Sequence, residues 1–65
     1  MRKLVHSEEY RGITLSIFEN PVYKLLPFEH QFEFDGARWV GYACQNTMQK
    51  SIDEGKRHID EKLEE

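Results

Sequence analysis

The dipeptide Asp35-Gly36 lies between two runs in which ring-bearing or apolar residues alternate with polar ones, and this feature most restricts the fold. A two-residue Asp-Gly turn with positive φ at both central positions predicts an antiparallel hairpin. The turn also fixes the register, because a shift of one residue would send every side chain to the opposite face. The pairs expected on the aromatic face are Phe34 with Ala37, Phe32 with Trp39, His30 with Gly41, and Phe28 with Ala43.

A second alternating run precedes this hairpin. Ile13, Leu15 and Ile17 occupy every second position, which predicts another half-buried strand. Asn20-Pro21 ends that strand, because proline lacks the backbone donor and restricts the residue before it. Lys3 to His6 fits either a further short strand or an ordered tail, and the sequence leaves this choice open.

The period changes from two to between three and four after Ala43, which predicts a helix with one narrow apolar stripe. The stripe consists of Met48, Ile52, Gly55, Ile59 and Leu63. Two possible capping boxes leave the start of the helix either near Thr47 or near Ile52.

A glycine within this helix, Gly55, costs about 1 kcal/mol relative to alanine, which predicts a close approach to the sheet. Trp39 is the expected neighbour, and Gly41 would leave room for the helix on the sheet. The sequence therefore predicts an α+β fold in a single small domain spanning residues 1–65. Its architecture would be a three-stranded antiparallel β-meander with one C-terminal α-helix packed on its aromatic face.

The short chain limits both stability and location. A domain of 65 residues buries only about 60% of its unfolded surface, so help from a protein partner or from self-association is expected. The single cysteine, Cys44, excludes an intrachain disulfide and suits a reducing compartment. No apolar run approaches the roughly 18 residues of a membrane span. We therefore expect a cytoplasmic protein without membrane contact.

Residues able to perform chemistry are few. His6, His30, His58 and Cys44 are the best metal ligands, and they fall at none of the usual metal-binding spacings. No nucleophile has a base at a recognisable spacing, and there is no glycine-rich phosphate loop. We expect no enzymatic activity, no metal and no cofactor. His30 is predicted to be a partly buried ring opposite Gly41, and His58 to lie on the flank of the helix.

The segment "NPVYKLLPFEH" is unusually apolar for a connection. Its candidate partner-interface residues are Val22, Tyr23, Leu25 and Leu26. They would either cover the open end of the core and extend the second strand, or form a dimer or target-protein interface.

A three-stranded sheet backed by a helix is also the arrangement of small DNA-binding sheets. The face turned away from the helix would present Glu29, Gln31, Glu33, Arg38, Val40 and Tyr42. Central carboxylates would repel phosphates, and the net charge of −3 acts in the same direction. A DNA-binding regulator that uses the sheet face is therefore the alternative to a protein-interaction module.

The hairpin "FEFDGARWVGYA" followed by "SIDEGKRHIDEKL" resembles the strand–strand–strand–helix pattern of short phage and prophage proteins of unknown function. The layout is similar to that of HicB-like antitoxin domains. The likeness covers roughly Tyr10 to Leu63 and rests on the strand Trp, a Ser N-cap and the helix Ile and Leu. It implies a small, non-enzymatic mobile-element protein, accessory or regulatory in type, that binds a host or phage macromolecule, with a dimer as one option.

Overall fold

The computed structural model describes residues 2–20, 27–42 and 47–65. These ranges form four strands and one helix: β1 (Lys3–Tyr10), β2 (Ile13–Glu19), β3 (Phe28–Phe34), β4 (Ala37–Tyr42) and α1 (Met48–Leu63). The strands make one antiparallel sheet in the order β1-β2-β3-β4, and α1 packs on one of its faces. The predicted α+β class and the C-terminal helix on the sheet are confirmed.

The prediction of three strands is wrong, because the segment that begins at Lys3 continues as a strand to Tyr10. In the register with β2, its positions on the helix side carry His6, Glu8 and Tyr10. The Glu8 carboxylate lies 2.7 Å from Nε2 of His6 and 3.3 Å from Nζ of Lys56 on α1. The helix-side positions of β1 are thus occupied by polar residues. A strand is recognised in a sequence by apolar residues at such positions, so hydrophobic alternation does not reveal β1.

Both hairpins turn through two residues with positive φ. Asp35 and Gly36 have φ of 56° and 78°, as predicted, and Arg11 and Gly12 have φ of 55° and 82°. This is the type I′ geometry, whose twist matches that of the flanking strands. Arg-Gly carries a weaker turn signal than Asp-Gly, because arginine has no short side chain to stabilise the left-handed conformation locally.

The register of the β3–β4 hairpin agrees with the prediction. Phe34 pairs with Ala37, Phe32 with Trp39 and His30 with Gly41. Ala43, the predicted partner of Phe28, lies outside the described residues. The ladder between the two hairpins runs from the pair Glu19–Phe28 to the pair Ser16–Gln31. Hence the aromatic residues of β3 lie beside the aliphatic residues of β2 on one face, and this face receives the helix.

α1 begins at the earlier of the two predicted places. Thr47 is its N-cap and accepts a hydrogen bond from the backbone N–H of Lys50 at 3.2 Å. The core beneath the helix consists of Leu15, Ile17, Phe32, Ile52 and Ile59. Met48, the first residue of the predicted stripe, is 38% exposed, and the buried stripe begins one turn later with Ser51 and Ile52.

Gly55 is buried against the sheet, as predicted, but its neighbour is not Trp39. A Cβ added at Gly55 would lie 2.7 Å from Cδ1 of Leu15 and 3.1 Å from Cβ of His30, so the glycine admits the middle of the sheet. Trp39 is half-buried against a later turn of α1, with Nζ of Lys62 3.9 Å from a ring centroid. Trp39 does contact the helix, as expected, but it does so beyond Gly55.

Candidate functional site

The sheet face turned away from α1 was predicted to be mostly polar, and the structure adds the residues of β1 to it. The strand registers place these residues on that face: Leu4, Ser7, Glu9, Thr14, Ser16, Phe18, Glu29, Gln31, Glu33, Arg38, Val40 and Tyr42. We call this surface the outer face. Among its apolar side chains, the most exposed are Leu4 at 55%, Val40 at 48% and Tyr42 at 48%.

Arg2 covers the middle of the outer face. Its guanidinium carbon lies 4.0 Å from the ring centroid of Phe18, and its Nε lies 3.3 Å from a carboxylate oxygen of Glu29. Arg2 also donates a 2.6 Å hydrogen bond to the side-chain oxygen of Gln31. Because Arg2 occupies the centre, the exposed apolar groups remain at the two ends of the sheet, on β1 and β4.

The two ends of the sheet differ in how open they are to another strand. β1 has a bulge between Leu4 and His6 and carries charged residues at Lys3, Glu8 and Glu9. Bulges and edge charges are the devices by which proteins prevent strands from adding to a sheet. The β1 edge is therefore blunted.

β4 is the other end of the sheet, and its register with β3 is regular over its whole length. Arg38 is its single formal charge, and Val40 and Tyr42 are its large exposed apolar residues. Within the described part of the chain, β4 pairs with β3 alone. We call the free side of this strand, with Arg38, Val40 and Tyr42, the β4 edge, and we take it as the candidate functional site.

A histidine pair lies behind β4, on the helix side. Nε2 of His30 and Nδ1 of His58 are 2.9 Å apart, and His30 is only 3% exposed. Gly41 leaves space for the His30 ring, since a Cβ there would lie 2.6 Å from Cε1 of that ring. The predicted position of His30 opposite Gly41 is confirmed, with deeper burial than expected.

Burial decides the protonation of this pair. Loss of water lowers the pKa of His30 from 6.5 to about 4, and the neighbouring His58 adds to the effect while Glu54 opposes it. Burial also lowers the pKa of His58, and Lys62 acts in the same direction. Both rings are therefore neutral at neutral pH, and one donates to the other.

The position of the proton follows from the second nitrogen of His30. Its Nδ1 is buried and has no hydrogen-bond partner among the described residues. A buried N–H without an acceptor is rarer and costlier than a bare acceptor. The proton of His30 therefore sits on Nε2 and is donated to Nδ1 of His58.

The sequence did not identify His58 as the partner of His30. The available signal was weak: His58 stands next to Ile59 of the apolar stripe, while His30 stands in the aromatic stripe of a strand predicted to face that helix. His58 also packs edge-on against Phe32, with ring centroids 5.0 Å apart. It is thus part of the wall between helix and sheet, beyond the flank position that was predicted.

A shallow cleft of about 210 Å³ opens beside the histidine pair. Its remaining lining consists of Gly41, Tyr42, Glu54, Arg57 and Glu61. Arg57 donates a 2.6 Å hydrogen bond to Glu54 across this lining. Among the described residues, no group of three or more His, Cys, Asp or Glu side chains is placed to hold a metal ion.

The predicted partner-interface residues, Val22, Tyr23, Leu25 and Leu26, lie outside the described residues, as does Cys44. His6 lies on β1 and contacts Glu8. It is two strands away from His30 on β3. Among the described residues, no helix combines the length and the apolar content that crossing a membrane requires.

Comparisons with protein-family models, with curated proteins and with solved structures give no match.

Proposed function

We propose that the chain is a non-enzymatic small protein-interaction module, cytoplasmic and of the phage or prophage accessory or regulatory type, which holds its partner at the β4 edge. The observation that carries this proposal is the contrast between the two ends of the sheet. β1 is bulged and charged, whereas β4 is regular and presents Val40 and Tyr42. An open edge strand is a template onto which another strand adds, with main-chain bonds giving affinity and alternate side chains giving specificity.

The non-enzymatic part of the proposal draws support from the histidine pair. In an acid–base dyad, a carboxylate orients the catalytic imidazole and stabilises its charged form. Here the group that contacts Nδ1 of His58 is the neutral ring of His30. A second neutral imidazole orients His58 but does not stabilise an imidazolium, so the pair suits a structural role.

The alternative function, a DNA-binding regulator that uses the sheet face, has less physical support. The two cations of the outer face are already paired with carboxylates, Arg2 with Glu29 at 3.3 Å and Arg38 with Glu33 at 3.6 Å. A phosphate-binding surface needs unpaired cations, which neutralise phosphates and so release the counterions held by the DNA. Titration with duplex DNA at low salt tests the alternative, and the absence of any shift would remove it.

The segment with Val22, Tyr23, Leu25 and Leu26 is kept as a second candidate contact on the basis of its sequence. Replacing Tyr23 and Leu25 with Ser separates an interface from a structural role. Lost association with an unchanged melting curve supports the interface, whereas unfolding rejects it.

Site-specific photocrosslinking tests the β4 edge directly. A photoreactive residue is placed at Val40 or, as a matched control, at Ser7, which stands in the same cross-sheet row at the β1 end. The experiment is done in cells that naturally carry the gene. We expect discrete protein adducts from position 40 that position 7 does not give. Equal adducts from both positions, or none from position 40, would contradict the proposal.

A further inference from the structure

The turn of the β3–β4 hairpin determines which backbone groups of β4 face outward. A two-residue type I′ turn is closed by a pair that exchanges both hydrogen bonds, here Phe34 and Ala37. Inward and outward positions then alternate along β4. The N–H and C=O groups of Arg38, Val40 and Tyr42 therefore point away from β3. These are the same residues whose side chains lie on the outer face.

We infer that the partner at the β4 edge is a second copy of this chain, with the two β4 strands antiparallel about a twofold axis through Val40. This inference rests on the proposed function, in which the β4 edge is the contact surface. In this register Val40 exchanges both hydrogen bonds with Val40 of the second copy, and Arg38 does so with Tyr42 of the second copy. All outward backbone groups of the three residues are then satisfied.

Neighbouring registers satisfy fewer of these groups. Shifting one strand by two residues towards the turn sets Tyr42 opposite Gly36 of the second copy, a turn residue, and so leaves Tyr42 without a bonded strand partner. A further shift in one direction places Arg38 opposite Arg38, and directly opposed like charges destabilise a sheet. The Val40-centred register is the one in which Arg38, Val40 and Tyr42 all pair among themselves.

The side chains of the outer face are complementary in the same register. Val40 meets Val40 of the second copy on the axis, where burial of two half-exposed valines removes apolar surface from water. The guanidinium of Arg38 lies across from the ring of Tyr42 of the second copy, which is a favourable cation–π arrangement.

On the helix side of the two β4 strands, large and small residues face each other. The Val40-centred register sets Trp39 opposite Gly41 of the second copy. A large ring thus faces a residue without a side chain, and no two bulky groups compete for one position. The β1 edge offers no comparable self-pairing, because its bulge interrupts the ladder between Leu4 and His6.

Light scattering after size exclusion, together with sedimentation equilibrium, tests the inference on the full chain. Wild type should be a dimer. Val40→Lys and Val40→Glu should each raise the dimer dissociation constant by about tenfold or more, because each places like charges opposite each other on the axis. Ser7→Lys, the matched change at the β1 end, should leave the dimer unchanged. Circular dichroism melting curves confirm that the variants are folded, which the exposure of Val40 favours.

Mixing the two charged variants identifies the register. Equimolar Val40→Lys and Val40→Glu should form a heterodimer, because only an axis through this position brings Lys opposite Glu. A dimer that persists in Val40→Lys, or monomeric variants that are not rescued by mixing, would overturn the inference.

The same data separate this inference from the proposed function. A wild-type monomer whose position 40 crosslinks to another protein rejects self-pairing and leaves the interaction module intact. A monomer that gives no adduct from position 40 rejects both.

Discussion

The two hairpins of the sheet share one turn geometry but differ in what their helix-facing residues are. The β3–β4 hairpin presents aromatic rings and a neutral histidine to α1, whereas the β1 strand presents His6, Glu8 and Tyr10. Tyr10 donates hydrogen bonds of 3.1 Å to both carboxylate oxygens of Asp60, and Arg11 lies 2.7 Å from the same group. The β3–β4 hairpin and the β2 residues Leu15 and Ile17 are attached to the helix by burial, whereas β1 is attached by charge and hydrogen bonds. Identical turns therefore do not imply equal stability or equal response to conditions.

The largest loss of stability is expected from truncating a buried ring of the β3–β4 hairpin. Phe32 is 2% exposed, and Phe32→Ala should destabilise the fold by about 3–5 kcal/mol through lost transfer energy and the cavity left behind. Such a loss is comparable to the whole stability of a small domain, so the variant should be largely unfolded in urea denaturation monitored by circular dichroism.

Tyr10→Phe is the matched change in the first hairpin. It removes only hydrogen bonds at the partly exposed Asp60 carboxylate, so it should leave the fold intact and shift the midpoint much less. A Phe32→Ala variant no less stable than Tyr10→Phe would show that the aromatic face is not the core of the domain.

The two hairpins should lose their contributions to stability at different pH values as the solution is acidified. The pKa of His30 is about 4 in the folded chain and 6.5 as an ordinary value, so the unfolded chain binds the proton first. The contribution of His30 to the free energy of unfolding is therefore fully present above pH 6.5. It is lost as the pH decreases towards 4, by on the order of 3 kcal/mol.

The two carboxylates that join the first hairpin to α1, Glu8 on β1 and Asp60 on α1, respond at lower pH. Hydrogen bonding to His6 lowers the pKa of Glu8 below 4.5, and hydrogen bonding to Arg11 lowers that of Asp60 below 3.8. Their contribution is present above these ordinary values and is lost only as the pH falls below them.

Urea denaturation at a series of pH values measures both windows. His30→Gln should flatten the dependence of stability on pH between pH 6.5 and 4. If His30→Gln kept the full slope, the histidine pair would not be its cause.

The smallest effect is expected at the turns, and there the two hairpins should behave alike. Gly12 and Gly36 have φ of 82° and 78°, and an added Cβ would meet nothing within 4 Å at either position. Gly12→Ala and Gly36→Ala should therefore each cost about 1 kcal/mol, from backbone strain alone. Thermal melts of the two variants measure this, and clearly unequal losses would mean that the turns differ in more than sequence.

The sequence predicted the turn and the described pairs of the β3–β4 hairpin, because the signal is local: ring-bearing residues alternate with polar ones on either side of Asp35-Gly36. It missed β1 because the partners that make its polar residues acceptable on the helix side, such as Lys56 for Glu8, stand far along the chain. The His30–His58 pair was missed for the same reason. Gly55 was correctly predicted to permit a close approach of the helix to the sheet. Which side chain lies next to it depends on the position of the helix along the sheet, which the sequence pattern does not specify.

The bulge in β1 has a consequence for the size of any assembly. A sheet joined through two β4 strands would expose β1 at both of its outer ends, and each end carries the interrupted ladder between Leu4 and His6. Growth by strand addition would therefore stop after one step. The chain would form a closed pair, and the irregularity at one edge would prevent the fibre formation that an open edge at the other would otherwise invite.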